Sequence, residues 1–424
     1  MKKRFLYVIA LLVIECVFFL AVSFSFAEKV ALPKTGQTTC YDSDGNVISC
    51  EGTGQDGDIR AGVAWPSPRF VDNGDGTVSD KLTGLMWLKD AGCIGTASWD
   101  YALRKVDDFN TNPGDYACWG YNGKYHDWVL PNVNELDSLN NSEESYSGTW
   151  LEDQGFVNVQ SSHDSYWSST TDVSSANYWP SVPARYAWAV DIRGSILKTE
   201  RKDNHYYHIW PIRTGQTGST KIPKTGQATS YADGDDGDLQ RGAEWPVPRF
   251  TDNGDGTVTD NLTGLMWLKG VCIQDKTWQE ALDSIADFND NPESLNWCGG
   301  YTGTYNDWRL PNKNELHSLT DFSQYRPALP SGHPFLYIDN NSCWTSTTSA
   351  ILEECKWYVS MSDGGVSYCG NPNVAWPVRA GQTGEIKVPR VTTTAVSSIT
   401  PNSASSGGNV TSNGGANVTA KGVC

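Results

Sequence analysis

The stretch Asp72–Lys89 reads DNGDGTVSDKLTGLMWLK, and it recurs at Asp252–Lys269 as DNGDGTVTDNLTGLMWLK. Its Asn-Gly and Asp-Gly pairs are favoured in tight hairpin turns, because glycine and asparagine tolerate a positive φ. Alternating residues flank this turn, and the segment KLTG forms a second turn before the apolar strand LMWL. The stretch therefore predicts a β-meander at two places along the chain.

The same acids and glycines also suggest a calcium loop. An EF-hand loop places oxygen ligands at positions 1, 3 and 5, a glycine at 6 and a bidentate acid at 12. With Gly76 at position 6, positions 1 and 12 are Val71 and Leu82, and the second copy has Thr251 and Leu262 there. Turn chemistry explains the stretch without a metal, so we predict no metal and no other cofactor. The alternative is a calcium site in each copy, on the acids Asp72 and Asp75 and on the acids Asp252 and Asp255.

The repetition extends over most of the chain. The segments that return in the same order are LPKTGQTTCY, WPSPRF, DWVLPNVNEL and WPIRTGQTG, which start at Leu32, Trp65, Asp127 and Trp210 and again at Ile222, Trp245, Asp307 and Trp376. We place copy 1 at residues 31–214 and copy 2 at residues 222–381, joined by the polar link 215–221. Chemistry that both copies perform must use positions that both copies share.

Each copy is predicted to contain two helices. The segment TWQEALDSIADFN has apolar residues at helical spacing, and Thr277 with Glu280 forms a capping box at its start. The counterpart of this helix starts at Ser98. The second helix has an asparagine cap and a glutamate three residues later: Asn132 with Glu135, and Asn312 with Glu315. Helices combined with antiparallel hairpins give an α+β fold.

Aromatic residues divide into shared and private sets. Seven tryptophan pairs occupy equivalent positions in the two copies, and we expect them in the core. Trp119, Trp150, Trp179 and Trp297 are unshared and lie in variable loops. Exposed loop aromatics are typical of surfaces that stack on sugar rings. The candidate ligand-binding residues are the private aromatics Trp150, Trp179, Tyr206, Tyr207 and Tyr325.

Histidine is absent from the shared positions, because none of the six histidines recurs in the other copy. There is consequently no shared Ser/His or Cys/His arrangement for nucleophilic catalysis. We therefore expect no catalytic residues and no enzyme activity.

Cysteine positions predict structural disulfides, since exported proteins keep their cysteines oxidised. The shared pairs are Cys93 with Cys118 and Cys272 with Cys298, and the private pairs are Cys40 with Cys50 and Cys355 with Cys369. The partners of Cys343 and Cys424 stay open.

The N-terminus has the pattern of an export signal. Three basic residues precede the apolar run Phe5–Leu20, and Ser25 and Ala27 provide the small residues before a cleavage site after Ala27. We therefore assign residues 1–27 to a signal peptide and expect a secreted, cell-surface or periplasmic protein without a membrane span in the mature chain. The formal net charge of -17 makes nucleic acid an unfavourable partner. Residues 391–424 form a Ser/Thr/Gly-rich tail that resembles the opening strands of an immunoglobulin- or fibronectin-like module, which would be truncated here.

The combination of NGDGTVTDNLTGLMWLK, DWRLPNKNEL, WTSTT, WYVSMSDGGV and WPVR resembles the Lcl C-terminal domain family, named after a collagen-like bacterial surface adhesin. The resemblance covers both copies. Copy 1 departs from it at Val129, where copy 2 has Arg309. The resemblance implies an α+β fold related to C-type-lectin-like and formylglycine-generating-enzyme domains, and it associates the domain with binding of sulfated glycosaminoglycans. The acidic charge of this chain opposes polyanions, so a neutral or cationic extracellular glycan or a surface protein fits better as the partner.

Three functions follow as hypotheses. The first is an exported adhesion protein that binds carbohydrate through its private aromatic loops. The second is a sulfatase-modifying-like enzyme on the same fold, which would need reactive cysteines. The third is a structural spacer for a further C-terminal domain. Neither the ligand nor the oligomeric state follows from the sequence.

Overall fold

The computed structural model of the chain describes residues 29–160, 165–174, 184–192, 196–303, 305–338, 341–380, 390–400 and 403–412. The predicted signal peptide at residues 1–27, Trp179 and Cys424 lie outside these residues. Contacts divide the chain into two units, one ending at Arg379 and the other comprising Ala380–Cys424.

Copy 1 contains most of the elements of the first unit. Its strands are β1 (Cys40–Tyr41), β2 (Val47–Ile48), β3 (Phe70–Asp72), β4 (Thr77–Asp80), β5 (Leu85–Leu88), β6 (Thr96–Ala97), β7 (Tyr166–Asp172), β8 (Tyr186–Asp191), β9 (Ile196–Arg201), β10 (Tyr207–His208) and β11 (Ile212–Thr214). Its α-helices are α1 (Asp56–Ile59), α2 (Trp99–Thr111), α3 (Val133–Asp137) and α4 (Ser147–Asp153).

Copy 2 has fewer elements in the same order, and among its described residues it lacks counterparts of β1, β2, β6, β10 and α4. Its strands are β12 (Phe250–Asp252), β13 (Thr257–Asp260), β14 (Met266–Leu268), β15 (Ser342–Thr348), β16 (Lys356–Ser360), β17 (Val366–Ser367) and β18 (Val378–Arg379). Its α-helices are α5 (Asp236–Leu239), α6 (Trp278–Asp290) and α7 (Lys313–His317). The mixture of helices and small sheets is the predicted α+β class.

The predicted β-meander is confirmed in both copies. Strands β3, β4 and β5 pair antiparallel in sequence order, and β11 completes a four-stranded sheet beside β5. Strands β12, β13, β14 and β18 form the same sheet in copy 2. Val78 pairs with Trp87 across the meander, and both side chains are buried. The repeated stretch therefore contains the end of the first strand of each meander and the whole of its second and third strands.

The helix caps follow the predicted chemistry. Helix α6 begins with the capping box of Thr277 and Glu280, and α3 and α7 begin with the asparagine–glutamate boxes predicted for them. The buried side chains of α2 and α6 lie on one face, as the 3.6-residue period requires. The short helices α1, α4 and α5 were not predicted, because each spans two turns or fewer and carries no extended apolar period.

One eight-stranded sheet runs through both copies. Its order is β15-β16-β17-β9-β8-β7-β10-β6, so the copies meet where β17 pairs antiparallel with β9. This junction aligns Val366 of copy 2 with Leu197 of copy 1. Since β9 and β17 occupy equivalent places in their copies, the antiparallel pairing relates the two copies by an approximate twofold axis.

The segment before each meander docks on the other copy. We call residues 29–64 arm 1 and residues 219–244 arm 2. In arm 1, the carboxylate of Asp56 accepts hydrogen bonds from its neighbour Thr35 at 2.6 Å and from Thr347 of copy 2 at 2.7 Å. In arm 2, Asp236 accepts from Thr225 at 2.6 Å and from Thr170 of copy 1 at 2.7 Å.

A glutamine side chain of each arm also bonds to the other copy. The side-chain amide of Gln37 in arm 1 bonds to both backbone groups of Thr348 in copy 2, at 2.8 and 2.9 Å. Gln227 in arm 2 bonds in the same way to Thr171 of copy 1. Each arm also contacts its own copy, for example through the bond from Ser142 N to Thr35 O at 2.9 Å. The two arms therefore connect the copies reciprocally.

Most of the shared tryptophans lie in the core. Six of the seven shared pairs are buried, as predicted, while Trp65 and Trp245 are half-buried and each donates its indole N–H to a lysine carbonyl of its arm. In the second unit, β19 (Arg390–Thr400) and β20 (Ser403–Ser412) pair as an antiparallel hairpin. The immunoglobulin-like module stays a prediction.

Candidate functional site

The predicted aromatic residues lie in different surroundings. Trp150 was predicted in a variable loop, but it lies on helix α4 and is half-buried. Its ring packs 5.6 Å from that of Trp65 and 5.8 Å from that of Phe70. Tyr325 is half-buried in copy 2, with the guanidinium of Arg326 5.1 Å from its ring. These contacts give both side chains a packing role.

Tyr206 and Tyr207 lie together at strand β10 of copy 1. The ring of Tyr206 is 67% exposed, whereas Tyr207 packs edge-on against Trp167 at 4.9 Å, with Lys198 Nζ 5.0 Å from its ring. Tyr206 and Tyr207 therefore place one exposed ring and one supported ring side by side at strand β10, next to the edge strand β6 of the long sheet.

The equivalent place in copy 2 is a groove. Relative to Trp376, the residues that correspond to Tyr206 and Tyr207 are Pro372 and Asn373. Without the two tyrosine rings, a space of about 760 Å³ opens beside Trp344, the counterpart of Trp167. We call this space the copy-2 groove. It is lined by Ser43, Asp275, Lys276, Thr277, Trp278, Gln279, Glu280, Trp344, Glu354, Cys355, Lys356, Cys369, Gly370, Asn371, Pro372 and Asn373.

The walls of the copy-2 groove are held by a disulfide and by hydrogen bonds. The disulfide Cys355–Cys369 closes the hairpin of β16 and β17 on one side. Lys356 Nζ donates to Asp42 O of arm 1 at 3.1 Å and to Glu353 O at 2.8 Å, and burial lowers the pKa of this lysine. Trp344 also lines the groove, and its indole N–H donates to Lys276 O at 3.0 Å.

Polar groups in the copy-2 groove are amides and carboxylates. Asn373 Nδ2 donates to Asp275 Oδ1 at 3.1 Å, and the Glu280 carboxylate accepts from the backbone N–H of Thr277, which lowers its pKa. Glu354 and Asn371 complete the rim. Amides and carboxylates are groups that hydrogen-bond to hydroxyl-rich neutral molecules.

A second pair of exposed rings occurs at the disulfides shared by the copies. Trp119 follows Cys118 and is 67% exposed, and Trp297 precedes Cys298 and is 65% exposed. A position-by-position comparison of the repeats misses this correspondence, because the two indoles lie on opposite sides of the aligned cysteine. Alignment on the cysteines alone would have revealed it.

The loop that follows each of these tryptophans is anchored by a shared cluster. In copy 1, Arg213 lies 4.1 Å over the ring of Tyr125 and binds Asp127 through two bonds of 2.6 and 3.0 Å. The bond from Arg213 lowers the pKa of Asp127. Copy 2 has the same arrangement in Arg379, Tyr305 and Asp307. The cluster fixes the loop to the last strand of the meander sheet.

The acids of the repeated stretch are engaged in turn contacts. Asp72 accepts from Gly74 N at 2.9 Å and pairs with Lys89 at 2.6 Å, and both contacts lower its pKa. Asp75 accepts from the Thr77 hydroxyl at 2.6 Å.

Asp252 and Asp255 repeat these bonds with Gly254, Lys269 and Thr257. Within the described residues, no group of three or more His, Cys, Asp or Glu side chains is placed to hold a metal ion.

The cysteines form the four predicted disulfides. The bonds are Cys40–Cys50, Cys93–Cys118, Cys272–Cys298 and Cys355–Cys369. Cys343 is a buried thiol in β15, and burial raises its pKa far above the ordinary value. A thiol in this state is a poor nucleophile, because the thiolate is the reactive form.

These features define a tandem α+β protein whose two copies share a scaffold and differ in their surface loops. The family model of the Lcl C-terminal domain matches residues 76–213 and 256–379, and the chain belongs to this family. Membership points to a surface-associated, adhesin-like domain. No curated protein matches the chain. Among the residues that the structure describes, no helix is long and apolar enough to cross a membrane.

Proposed function

We propose that this chain is an exported, non-catalytic adhesion protein with a C-type-lectin-like fold, and that it binds neutral carbohydrate. The two contact surfaces are the copy-2 groove and the ring pair of Tyr206 and Tyr207 in copy 1. The signal-like N-terminus and the four disulfides suit a protein that works outside the cytoplasm.

The main support is that the surface above one shared tryptophan differs between the two copies, although the surrounding scaffold is the same. Trp167 and Trp344 hold the same position, and each donates its indole N–H to a backbone carbonyl, Ala97 O or Lys276 O. The loop above this indole carries tyrosines in copy 1 and leaves a groove in copy 2. Variation confined to a loop over a constant scaffold is typical of binding sites.

The charges of the copy-2 groove and of the whole chain restrict the class of ligand that can bind. The copy-2 groove contains Asp275, Glu280 and Glu354 against Lys276 and Lys356, and the whole chain has a net charge of -17. A polyanion would be repelled by both, so a neutral or cationic glycan is the better match.

A glycan array probed with the labelled full chain tests the proposal. We expect Tyr206→Ala and the double variant Asn371→Ala/Asn373→Ala each to reduce binding, because they alter the two surfaces. Tyr101→Ala is the matched control, since Tyr101 is a 61% exposed tyrosine on helix α2. Absence of any bound glycan, or equal binding by all the variants, would contradict the proposal.

Thiol titration of the folded chain separates this function from an enzyme of the formylglycine-generating type. Such an enzyme needs a reactive cysteine pair, whereas Cys272 and Cys298 are joined here. We expect no reaction of a thiol reagent with either residue before unfolding. Rapid labelling of both would favour the enzyme.

A further inference from the structure

The four disulfides differ in how deeply their cysteines are buried. Three of them contain one buried cysteine, because Cys40, Cys118 and Cys298 are 0%, 8% and 0% exposed. In the fourth, Cys355 is half-buried and Cys369 is exposed. Among the disulfides that the structure describes, Cys355–Cys369 is therefore the one with the most accessible cysteines.

The surroundings of the disulfides differ in the same way. A Cβ on Gly270 would lie 2.7 Å from Cys298 Sγ and 2.8 Å from Cys272 Sγ, so the backbone covers this shared disulfide closely. Cys355 and Cys369, in contrast, both line the copy-2 groove of about 760 Å³. The groove gives a small thiol an approach to their bond.

The backbone of Cys369 is also unusual. Of the eight disulfide-bonded cysteines, all of which the structure describes, Cys369 is the one with a positive φ, at 58°. This left-handed conformation is unfavourable for a residue that carries a Cβ, and it persists only where the surrounding structure holds it. Since the disulfide is part of that surrounding structure, opening the bond lets Cys369 leave the conformation.

Opening this bond would change the copy-2 groove without unfolding copy 2. Strand β16 stays paired with β15 on one side and with β17 on the other. The groove wall at residues 369–373 is tied to the start of β16 by the disulfide, and at its other end Asn373 bonds to Asp275 and Lys276. Loss of the disulfide therefore releases one end of the wall.

The charges of the groove select the kind of thiol that can react. The lining contains Asp275, Glu280 and Glu354 against Lys276 and Lys356, in a chain with a net charge of -17. The amino group of Lys356 already donates to two backbone carbonyls. The reactive form of a thiol is the anionic thiolate, which such surroundings repel. A thiolate that carries an ammonium group is neutral overall and avoids this repulsion.

We propose that the Cys355–Cys369 disulfide is a thiol-exchange site for a small aminothiol. The aminothiol thiolate attacks Cys369 Sγ, because Cys369 is the exposed member of the pair, and the bond between the two cysteine sulfurs breaks. Cys355 Sγ leaves as a thiolate and takes up the proton that the aminothiol released. The products are a mixed disulfide on Cys369 and a free Cys355 thiol, so the step needs no further oxidant or reductant. The site opens into the copy-2 groove, but the exchange requires no carbohydrate and is independent of the proposed function.

Incubation of the folded full chain with cysteamine, followed by alkylation and peptide mass spectrometry, tests the proposal. We expect cysteamine on Cys369 and the alkylating reagent on Cys355, with the other three disulfides intact. A chain in which no adduct forms before global unfolding would overturn the proposal, and so would a first adduct on one of the other three disulfides. An adduct on Cys355 would contradict the assignment of the attacked sulfur.

Glutathione, whose thiolate is anionic overall, tests the selection by charge. The rate of each thiol is divided by its rate with bis(2-hydroxyethyl) disulfide, which removes intrinsic differences in reactivity. We expect cysteamine to be favoured at least about threefold, the effect of one unit of charge at short range in surroundings close to water. Glu354→Gln reduces this preference, whereas Glu51→Gln, at an exposed glutamate outside the groove, leaves it unchanged. Equal normalised rates of the two thiols would overturn the assignment to an aminothiol.

The double variant Cys355→Ser/Cys369→Ser completes the test. A melting curve establishes that it is folded, and we expect it to form no adduct with cysteamine. An adduct that persists in this folded variant would overturn the proposal, because the exchange would then occur elsewhere.

Discussion

The two copies neutralise an equivalent buried glutamate with arginines from different parts of the chain. Glu135 and Glu315 are equivalent capping glutamates, both buried, and each needs a positive partner. Glu315 receives Arg309 of its own copy through two bonds of 2.5 Å. Glu135 has Val129 at the corresponding place and receives Arg241 of arm 2 at 3.0 Å.

This difference shows that each arm forms one structural unit with the copy on which it docks. Ala61 of arm 1 corresponds to Arg241 of arm 2 and docks at the same point, since Asn312 Nδ2 donates to Ala61 O and Asn132 Nδ2 donates to Arg241 O, both at 3.2 Å. Each copy therefore has one arginine at this point, supplied either by the copy or by the incoming arm. Glu135 has an arginine partner only because arm 2 docks on copy 1, whereas Glu315 uses Arg309 of its own copy.

Removing the arginine is the largest expected perturbation. Arg309→Val or Arg241→Ala leaves a buried carboxylate without its partner, and breaking such a pair costs about 3–5 kcal/mol. Urea unfolding followed by tryptophan fluorescence measures the loss. Arg185→Ala is the control, because Arg185 is an exposed arginine of copy 1, and we expect a change below about 1 kcal/mol.

Two glycines of the repeated stretch give the next comparison. Both have a positive φ, but a Cβ on Gly76 would lie 2.3 Å from the backbone of Tyr121, whereas a Cβ on Gly74 would meet nothing within 4 Å. We expect Gly74→Ala to cost about 1 kcal/mol through its backbone conformation, and Gly76→Ala to cost at least about 2 kcal/mol more. Equal effects in thermal melting would show that the loop of Tyr121 does not rest on this turn.

Local structure was predictable from the sequence because it depends on neighbouring residues. Asn-Gly and Asp-Gly pairs define the turns, Thr277 with Glu280 defines a cap, and the cysteine spacing defines the bridges. The arm exchange was not predictable, because it depends on contacts such as Asp56 with Thr347, which are 291 positions apart. Comparing repeats aligns equivalent residues within the copies and contains no information about contacts between them.

The candidate site shows the same limit. Tyr206 and Tyr207 were identifiable as private aromatics, but the copy-2 groove was not, since it arises where side chains are small or absent. A loop such as 371–373 has no residue type that signals a binding site. Only its position beside Trp344 in the folded chain makes it a groove.

Buried aspartates of the two arms predict a pH dependence. Burial raises the pKa of Asp56 to about 6 and that of Asp236 to about 7, despite their threonine hydrogen bonds. The folded state thus holds these protons more tightly than the unfolded state. Their contribution to stability is complete below about pH 4 and is lost as the pH rises through 6 to 7.

The variant Asp236→Asn tests this sign. It keeps an acceptor for both threonines and removes the titration, so we expect it to be more stable than the natural chain at pH 8 by on the order of 2 kcal/mol, with no gain at pH 4. Asp238→Asn, at an exposed position of the same helix, is the control. A loss of stability at pH 8 would contradict this account of arm 2.

The smallest expected effect concerns calcium. If the acids of the repeated stretch serve only the turns, millimolar calcium or a chelator leaves the melting temperature unchanged, because a ligand shifts stability only when it binds the folded state. A rise on adding calcium that Asp75→Asn abolishes would support the calcium alternative.

The arm exchange itself is tested most directly by moving the arginine. In the Arg309→Val background, Ala61→Arg gives copy 2 the arrangement that copy 1 uses naturally, with the arginine supplied by the arm. We predict that urea unfolding of Ala61→Arg/Arg309→Val recovers most of the roughly 3–5 kcal/mol lost in Arg309→Val, while Ala61→Arg alone brings no gain. Recovery requires arm 1 to lie on copy 2. A double variant as unstable as Arg309→Val would contradict the exchange.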